Sequence, residues 1–67
     1  MAVLKIIEIM GDSPDSWEAA AGEAVAEASR TVDKIRSIWI QDQSATVKDG
    51  KIDRYRLTCK VTFEVDR

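Results

Sequence analysis

Polar and apolar residues alternate without a break over the last third of the chain, from Arg54 to Asp66. Successive side chains of a β-strand point to opposite faces of the sheet, so this pattern predicts one long strand with an apolar and a polar face. The apolar face holds Tyr55, Leu57, Cys59, Val61, Phe63 and Val65. The polar face holds Arg54, Arg56, Thr58, Lys60, Thr62, Glu64 and Asp66. Another element must cover the apolar face.

A first strand is predicted over residues 3–10, because this segment is rich in β-branched residues. Both of its faces are apolar, and one of them carries Leu4, Ile6 and Met10. A strand that is apolar on both sides is usually covered on both sides. We therefore expect one side of this strand to meet a neighbouring subunit.

The Ser13-Pro14 pair predicts the start of a helix, since a hydroxyl caps free amides and proline suits the first helical position. The helix is expected to end near Thr31 or Val32. Its apolar stripe is mostly alanine, which permits close approach to a sheet. The stripe consists of Trp17, Ala20, Ala21, Ala24, Val25, Ala28 and Val32.

The Asp49-Gly50 pair predicts a hairpin between a second strand, over about residues 38–47, and the long strand. Both central residues of a type I′ turn need positive φ, which Asp-Gly supplies. The resulting register pairs Val47 with Ile52, Gln43 with Arg56, Trp39 with Lys60 and Ile38 with Val61. It also places Asp42 opposite Leu57 on the apolar side, a conflict that a bulge would explain.

The hairpin is expected to be longer than its cover. A helix of about 17 residues spans roughly 25 Å, whereas strands of about 11 residues span roughly 36 Å. The apolar side of the projecting part, with Tyr55 and Leu57, would need a partner. The alternative is a strongly curled sheet that wraps its own helix.

The small size of the chain also indicates that it needs a partner to complete its core. The 67 residues form a single domain, 1–67, and a chain this short buries only about 60% of its unfolded surface. Disulfides, metals or oligomerisation usually supplement such a core. Cys59 is the only cysteine and histidine is absent, which argues against a disulfide and against the usual zinc, copper or haem sites. Oligomerisation is the natural solution.

Charge and composition exclude several classes of function. The net charge of −2 gives no nucleic-acid footprint, and no run of 18 apolar residues predicts a membrane span. Lys5 and Glu8 interrupt the apolar N-terminus, unlike a signal peptide. A lone cysteine on an apolar face fits a reducing compartment, so we expect a cytoplasmic protein. The sequence has no histidine and shows no base near Cys59 that could activate its thiol, so we expect no enzymatic activity.

Two features suggest ligand sites. Trp39 falls on the polar face, where an indole is either an interface anchor or a platform for a planar ligand, and Lys60 opposite could sit over its ring. Asp12, Asp15 and Glu18 could gather a calcium ion, but capping of the helix N-terminus also accounts for these residues.

The order of elements within 67 residues resembles the dodecin family. The resemblance rests on IIEIMGDSPDSWEAAAGEAVAEASRTV, VDKIRSIWI, the Asp-Gly turn and YRLTCKVTFEV, and it covers nearly the whole chain. It implies an α+β subunit in which a three-stranded antiparallel sheet partly wraps one helix, in β-α-β-β order. It also implies a closed homo-oligomer, a hollow dodecamer.

Flavin-binding dodecins hold riboflavin or its nucleotides in stacked pairs between tryptophans at a two-fold interface, and they store flavin rather than transform it. In this chain the position of the stacking tryptophan falls on Ser37, and Arg56 replaces the glutamine that binds the flavin ring. Asp42 falls where some members have an aspartate near the ribityl chain. The chain is thus similar to a tryptophan-lacking branch that includes calcium dodecins.

Two hypotheses follow. In the first, the shell sequesters a flavin at subunit interfaces, with Trp39, two residues from Ser37, as the platform. Arg56 would pair with a phosphate or ring carbonyl and favour flavin mononucleotide (FMN) over riboflavin, and Asp42 and Gln43 would add polar contacts. In the second, a flavin-free shell binds calcium or another small solute, or serves as a scaffold.

Overall fold

One antiparallel sheet and one helix make up the fold. The computed structural model describes residues 3–65, in the order β1 (Val3–Ser13), α1 (Trp17–Ser29), β2 (Ile35–Lys48) and β3 (Lys51–Val65). The sheet order is β1-β3-β2, so the alternating C-terminal strand lies in the centre. The expected β-α-β-β architecture of the α+β class is confirmed. The predicted last strand residue, Asp66, lies outside the described residues.

The core lies between α1 and the apolar face of β3. Its buried residues are Ala20, Ala24, Ala28, Leu57, Cys59 and Val61. The alanines are four residues apart and therefore line one side of the helix. We call the side of the sheet under the helix the inner face, and the opposite side the outer face.

The helix approaches β1 closely at Gly11. A Cβ atom added there would overlap the carbonyl oxygen of Ala20 and would lie 3.3 Å from the Cβ of Ala24. This contact depends on the absence of side chains, since any residue larger than glycine would push the helix away from the strand.

The predicted helix start was wrong. Ser16 is the N-cap, and its Oγ accepts a hydrogen bond of 2.9 Å from the amide of Ala19. Ser13 is instead the buried end of β1, and its Oγ accepts a hydrogen bond from the amide of Asp15. The sequence thus contains two serines that could cap the helix. Ser13 is not the cap because it pairs with Tyr55 and extends β1.

The predicted helix end and second strand start were also shifted. The helix ends at Ser29 with Arg30 as C-cap, before the predicted Thr31 or Val32, and β2 begins at Ile35 instead of about 38. Lys34 takes a positive φ of 60° just before the strand. Only a few per cent of non-glycine residues adopt this conformation, which explains why the short connection left no clear signal in the sequence.

The hairpin turn is confirmed, since Asp49 and Gly50 have φ values of 53° and 76°. The predicted register holds next to the turn and at the far end, where Val47 pairs with Ile52 and Ile38 with Val61. It is wrong by one residue in between, because β3 gains an unpaired residue near Thr46 and β2 gains one between Ile40 and Asp42.

The helix is much shorter than the hairpin, as predicted, but the predicted unprotected residues were wrong. Thirteen helical residues span roughly 20 Å, against roughly 50 Å for the 15 residues of β3. Leu57 is nevertheless buried, and the ring of Tyr55 meets that of Trp17 edge-on at 4.9 Å. In the part of the hairpin that projects past the helix, the uncovered apolar residues are Val47 and Ile52 beside the turn, which are 70% and 51% exposed.

Candidate ligand site on the outer face of the sheet

The outer face lies away from the helix and carries rows of residues that run across the three strands. Each row joins directly paired residues, which share a face of the sheet. From one end of the site to the other, the rows are Glu8–Lys60–Trp39, Met10–Thr58–Asp42 and Asp12–Arg56–Ser44. The site is therefore built on strands alone, with a contribution from each of them.

Trp39 forms the aromatic end of this site. Its side chain lies on the outer face, as predicted, and is 62% exposed. The ammonium of Lys60 lies 5.3 Å from the centre of the indole ring, which is within the range of a cation–π contact. This contact restrains an otherwise uncovered indole and leaves much of its surface free.

A bulge brings Asp42 to the same face as Trp39. Their positions differ by three, an odd number, which in a regular strand would place the two side chains on opposite faces. The irregularity between Ile40 and Asp42 reverses this and pairs Asp42 with Thr58. A shallow depression of about 440 Å³ lies at this point. Its lining consists of Glu8, Ile9, Met10, Asp42 and Thr58.

Two arginines form the other end of the site, where a carboxylate holds them. Arg54 Nε donates a hydrogen bond of 2.9 Å to Asp12 Oδ2, and Arg56 Nε lies 3.6 Å from Asp12 Oδ1. Within residues 3–65, Asp12 Oδ1 is buried and has no hydrogen-bond partner. The contact with Arg56 is therefore an ion pair without a hydrogen bond.

The remaining predicted binding residues are divided between the faces. Ser37 is exposed on the outer face opposite Thr62, one row beyond Trp39. Gln43 pairs with Leu57 and so lies on the inner face, contrary to its predicted pairing with Arg56. The bulge that brings Asp42 into the site thus removes Gln43 from it.

Glu8, Met10, Thr58 and the Asp12–Arg54 contact were not found from the sequence. Each of them depends on the pairing of β1 with β3, which joins residues about 40 to 60 positions apart. The one available signal was the polar face of β3, which places Arg54 and Arg56 on the same side.

The structure does not assemble the predicted calcium cluster within one chain. In the part of the chain from Val3 to Val65, no group of three or more His, Cys, Asp or Glu side chains could hold a metal ion. Asp12 pairs with arginines, and Glu18 lies in the first turn of α1, where its charge complements the helix dipole.

The surroundings of Cys59 determine how reactive its thiol is. Burial raises the pKa of the Cys59 thiol, and its Sγ contacts the carbonyl oxygen of Ile9 at 3.5 Å. A thiol held in its protonated form is a poor nucleophile.

The helix among the described residues is too short to cross a membrane.

Comparison with known proteins identifies the family. The sequence profile described as dodecin matches residues 3–66. The chain is also 42% identical over 65 residues to a calcium dodecin from Mycobacterium tuberculosis, which covers 97% of this chain and 92% of the relative. This chain belongs to the dodecin family.

Solved structures agree with this assignment. A structure of the calcium dodecin from M. tuberculosis, described as having a novel calcium-binding site, has 45% identity and a TM-score of 0.82. The match covers 96% of this chain and 91% of that one. The dodecin from Streptomyces davaonensis gives a TM-score of 0.94 at 24% identity, over 98% of this chain and 97% of that one, which bears on the fold alone. The family indicates a small-ligand-binding protein that assembles with copies of itself.

Proposed function

We infer that this chain is a non-enzymatic dodecin whose shell binds and sequesters a planar cofactor of the flavin type against Trp39. The observation that carries the proposal is the exposed indole of Trp39, which has the Lys60 ammonium over its ring and lies one row from the Met10–Thr58–Asp42 depression. A tryptophan that is 62% exposed on a sheet face leaves apolar surface in contact with water, and a planar ligand would cover that surface. The shell is proposed to contain twelve copies and to reside in the cytoplasm.

The chemistry of the surrounding residues is that of binding rather than catalysis. Glu8, Asp42 and Thr58 offer oxygens to the hydroxyl groups of a ribityl chain. Stacking on an aromatic ring contributes about 1–3 kcal/mol per ring in comparable nucleic-acid sites. One platform per chain therefore supports modest affinity unless a second copy supplies another ring across an interface.

Fluorescence titration tests the proposal. Riboflavin should lose its emission as protein is added, because stacking on an indole quenches the excited flavin, and Trp39→Ala should weaken binding about tenfold or more. Trp17→Phe is the matched control, because Trp17 packs on the inner face, where its Nε1 donates to the carbonyl of Ser44. Emission that stays constant at tens of micromolar protein would exclude flavin sequestration.

A calcium-binding shell is the second candidate, and a specific observation favours it. Glu8 and Asp42 place two carboxylates on the same depression, and the 42% identical relative is a calcium dodecin. Calcium takes six to eight oxygen ligands, so two carboxylates from one chain need partners from neighbouring copies. The site would therefore form at an interface.

Thermal unfolding separates the two candidates. Calcium bound to the folded shell should raise the melting temperature with ligand concentration, and a chelator should reverse the rise. Asp42→Asn should abolish the effect, whereas Asp53→Asn, at an exposed position near the turn, should preserve it. A melting temperature that is identical with calcium, magnesium and chelator would exclude the calcium site.

A further inference from the structure

Lys60 occupies the place that a positively charged ligand would take beside Trp39. We propose that its ammonium acts as a built-in cation at this indole, so that the site accepts neutral planar ligands and rejects cationic heteroaromatic rings such as acridinium or pyridinium. This inference rests on the proposed function, since it names the class of ligand that can stack on Trp39.

Without Lys60, the outer face around Trp39 would have the composition of a cation site. The face of an indole ring attracts cations, and nearby carboxylates attract them further. Glu8 lies in the same row as Trp39, and Asp42 lies in the next row. Both carboxylates belong to exposed residues that line the depression. Two negative charges and an open indole would therefore favour a cationic ring.

The ammonium of Lys60 is directed to the ring rather than to a carboxylate. Its Nζ lies 5.3 Å from the centre of the Trp39 ring. Glu8 is the direct partner of Lys60 on β1, yet the two form no ion pair within residues 3–65. Lys60 is half-buried on the central strand of the sheet, which restrains its stem. The positive charge is thus held at the indole before any ligand arrives.

A second cation is disfavoured on either face of the indole. On the face that Lys60 covers, the ligand must displace the ammonium, and the existing cation–π contact is lost. On the opposite face, the ligand is repelled by the positive charge behind the ring. A neutral ring can stack on that opposite face by covering apolar surface, and the contact between Lys60 and Trp39 stays intact.

Two dyes of the same shape test this selectivity: acridine in its neutral form, and 10-methylacridinium, which carries a permanent positive charge. Lys60→Met keeps an unbranched side chain but removes the charge. It should raise the affinity for 10-methylacridinium about fivefold or more and leave the affinity for acridine unchanged. Lys60→Gln, a second uncharged variant, should show the same gain. Lys60→Arg keeps the charge and should retain the selectivity of the wild type. Fluorescence titration of each dye gives the affinities.

Lys51→Met is the control for net charge, because it removes a positive charge at the exposed start of β3. It should leave both affinities unchanged. No gain for 10-methylacridinium in the uncharged Lys60 variants, or an equal gain in Lys51→Met, would overturn the proposal. If acridine binds none of these proteins, stacking of neutral rings on Trp39 fails. The affinity of the cationic dye for Lys60→Met and the wild type then decides the role of Lys60 alone.

Discussion

Gly11 shows how one residue sets the distance between the helix and the sheet. A Cβ added at this position would lie 2.8 Å from the carbonyl carbon of Ala20 and would overlap its oxygen. The obstacle is backbone, which cannot move aside like a flexible side chain. The alanine stripe and Gly11 therefore act together. Their small side chains bury little apolar area per residue but allow the helix and the sheet to pack closely.

We expect Gly11→Ala to lower the free energy of unfolding by about 1–3 kcal/mol, because the helix must move off β1. Gly22→Ala is the matched control. Gly22 lies inside α1 with nothing within 4 Å of an added Cβ, so this change should stabilise the protein by about 0.5–1 kcal/mol. Thermal or denaturant unfolding at one protein concentration measures both. Equal stability of the two variants would refute the packing argument.

At the scale of the elements, local signals in the sequence were sufficient to predict that the three strands and the turn exist, but not where β1 ends or β2 begins. The alternation of β3 and the Asp49-Gly50 turn depend on neighbouring residues, and both are confirmed. The bulges depend on how β2 and β3 pair, and they shift the middle of the hairpin by one residue. Pairing between strands has no local signature, so the register there could not be predicted.

In the candidate site, too, the features set by neighbouring residues were predictable and those set by pairing between strands were not. The position of Trp39 on the outer face followed from its alternation with Ile38 and Ile40. The return of Asp42 to that face and the loss of Gln43 from it required the bulge. The ion pair of Asp12 with Arg54 joins residues 42 positions apart, and only the folded sheet brings them together.

The helix start offers a test at this scale. Ser16→Ala should lower the free energy of unfolding by about 1 kcal/mol, because the amide of Ala19 loses its partner. Ser29→Ala is the control, since this exposed hydroxyl donates only to the carbonyl of Val25, and its loss should change stability by at most about 0.5 kcal/mol. Urea unfolding of the two variants gives the comparison. A larger loss for Ser29→Ala than for Ser16→Ala would contradict the assignment of the cap.

At the scale of the whole molecule, the chain is too extended for a self-sufficient domain. Its radius of gyration is 13.7 Å, whereas a compact domain of 67 residues would have about 11 Å. The long dimension is 51 Å, set by the hairpin. Large apolar side chains that are at least 39% exposed are Val3, Leu4, Ile6, Met10, Trp39, Ile40, Val47 and Ile52.

These exposed residues occur on separate parts of the molecule. Leu4, Ile6 and Met10 lie on the outer face of an edge strand, and Val47 and Ile52 lie beside the turn. A monomer that left all of them in water would forgo roughly 25 cal/mol for each Å² of apolar area it could bury. Copies of the same chain can cover these surfaces, and dodecin relatives imply such an assembly.

The molar mass in solution, measured by light scattering at low protein concentration, tests this claim most directly. We predict a single species of many chains, about twelve times the 7.5 kDa of one subunit, that persists on dilution. A folded monomer of 7.5 kDa that is stable on its own would contradict the account and would remove the interfaces at which its ligands are proposed to bind.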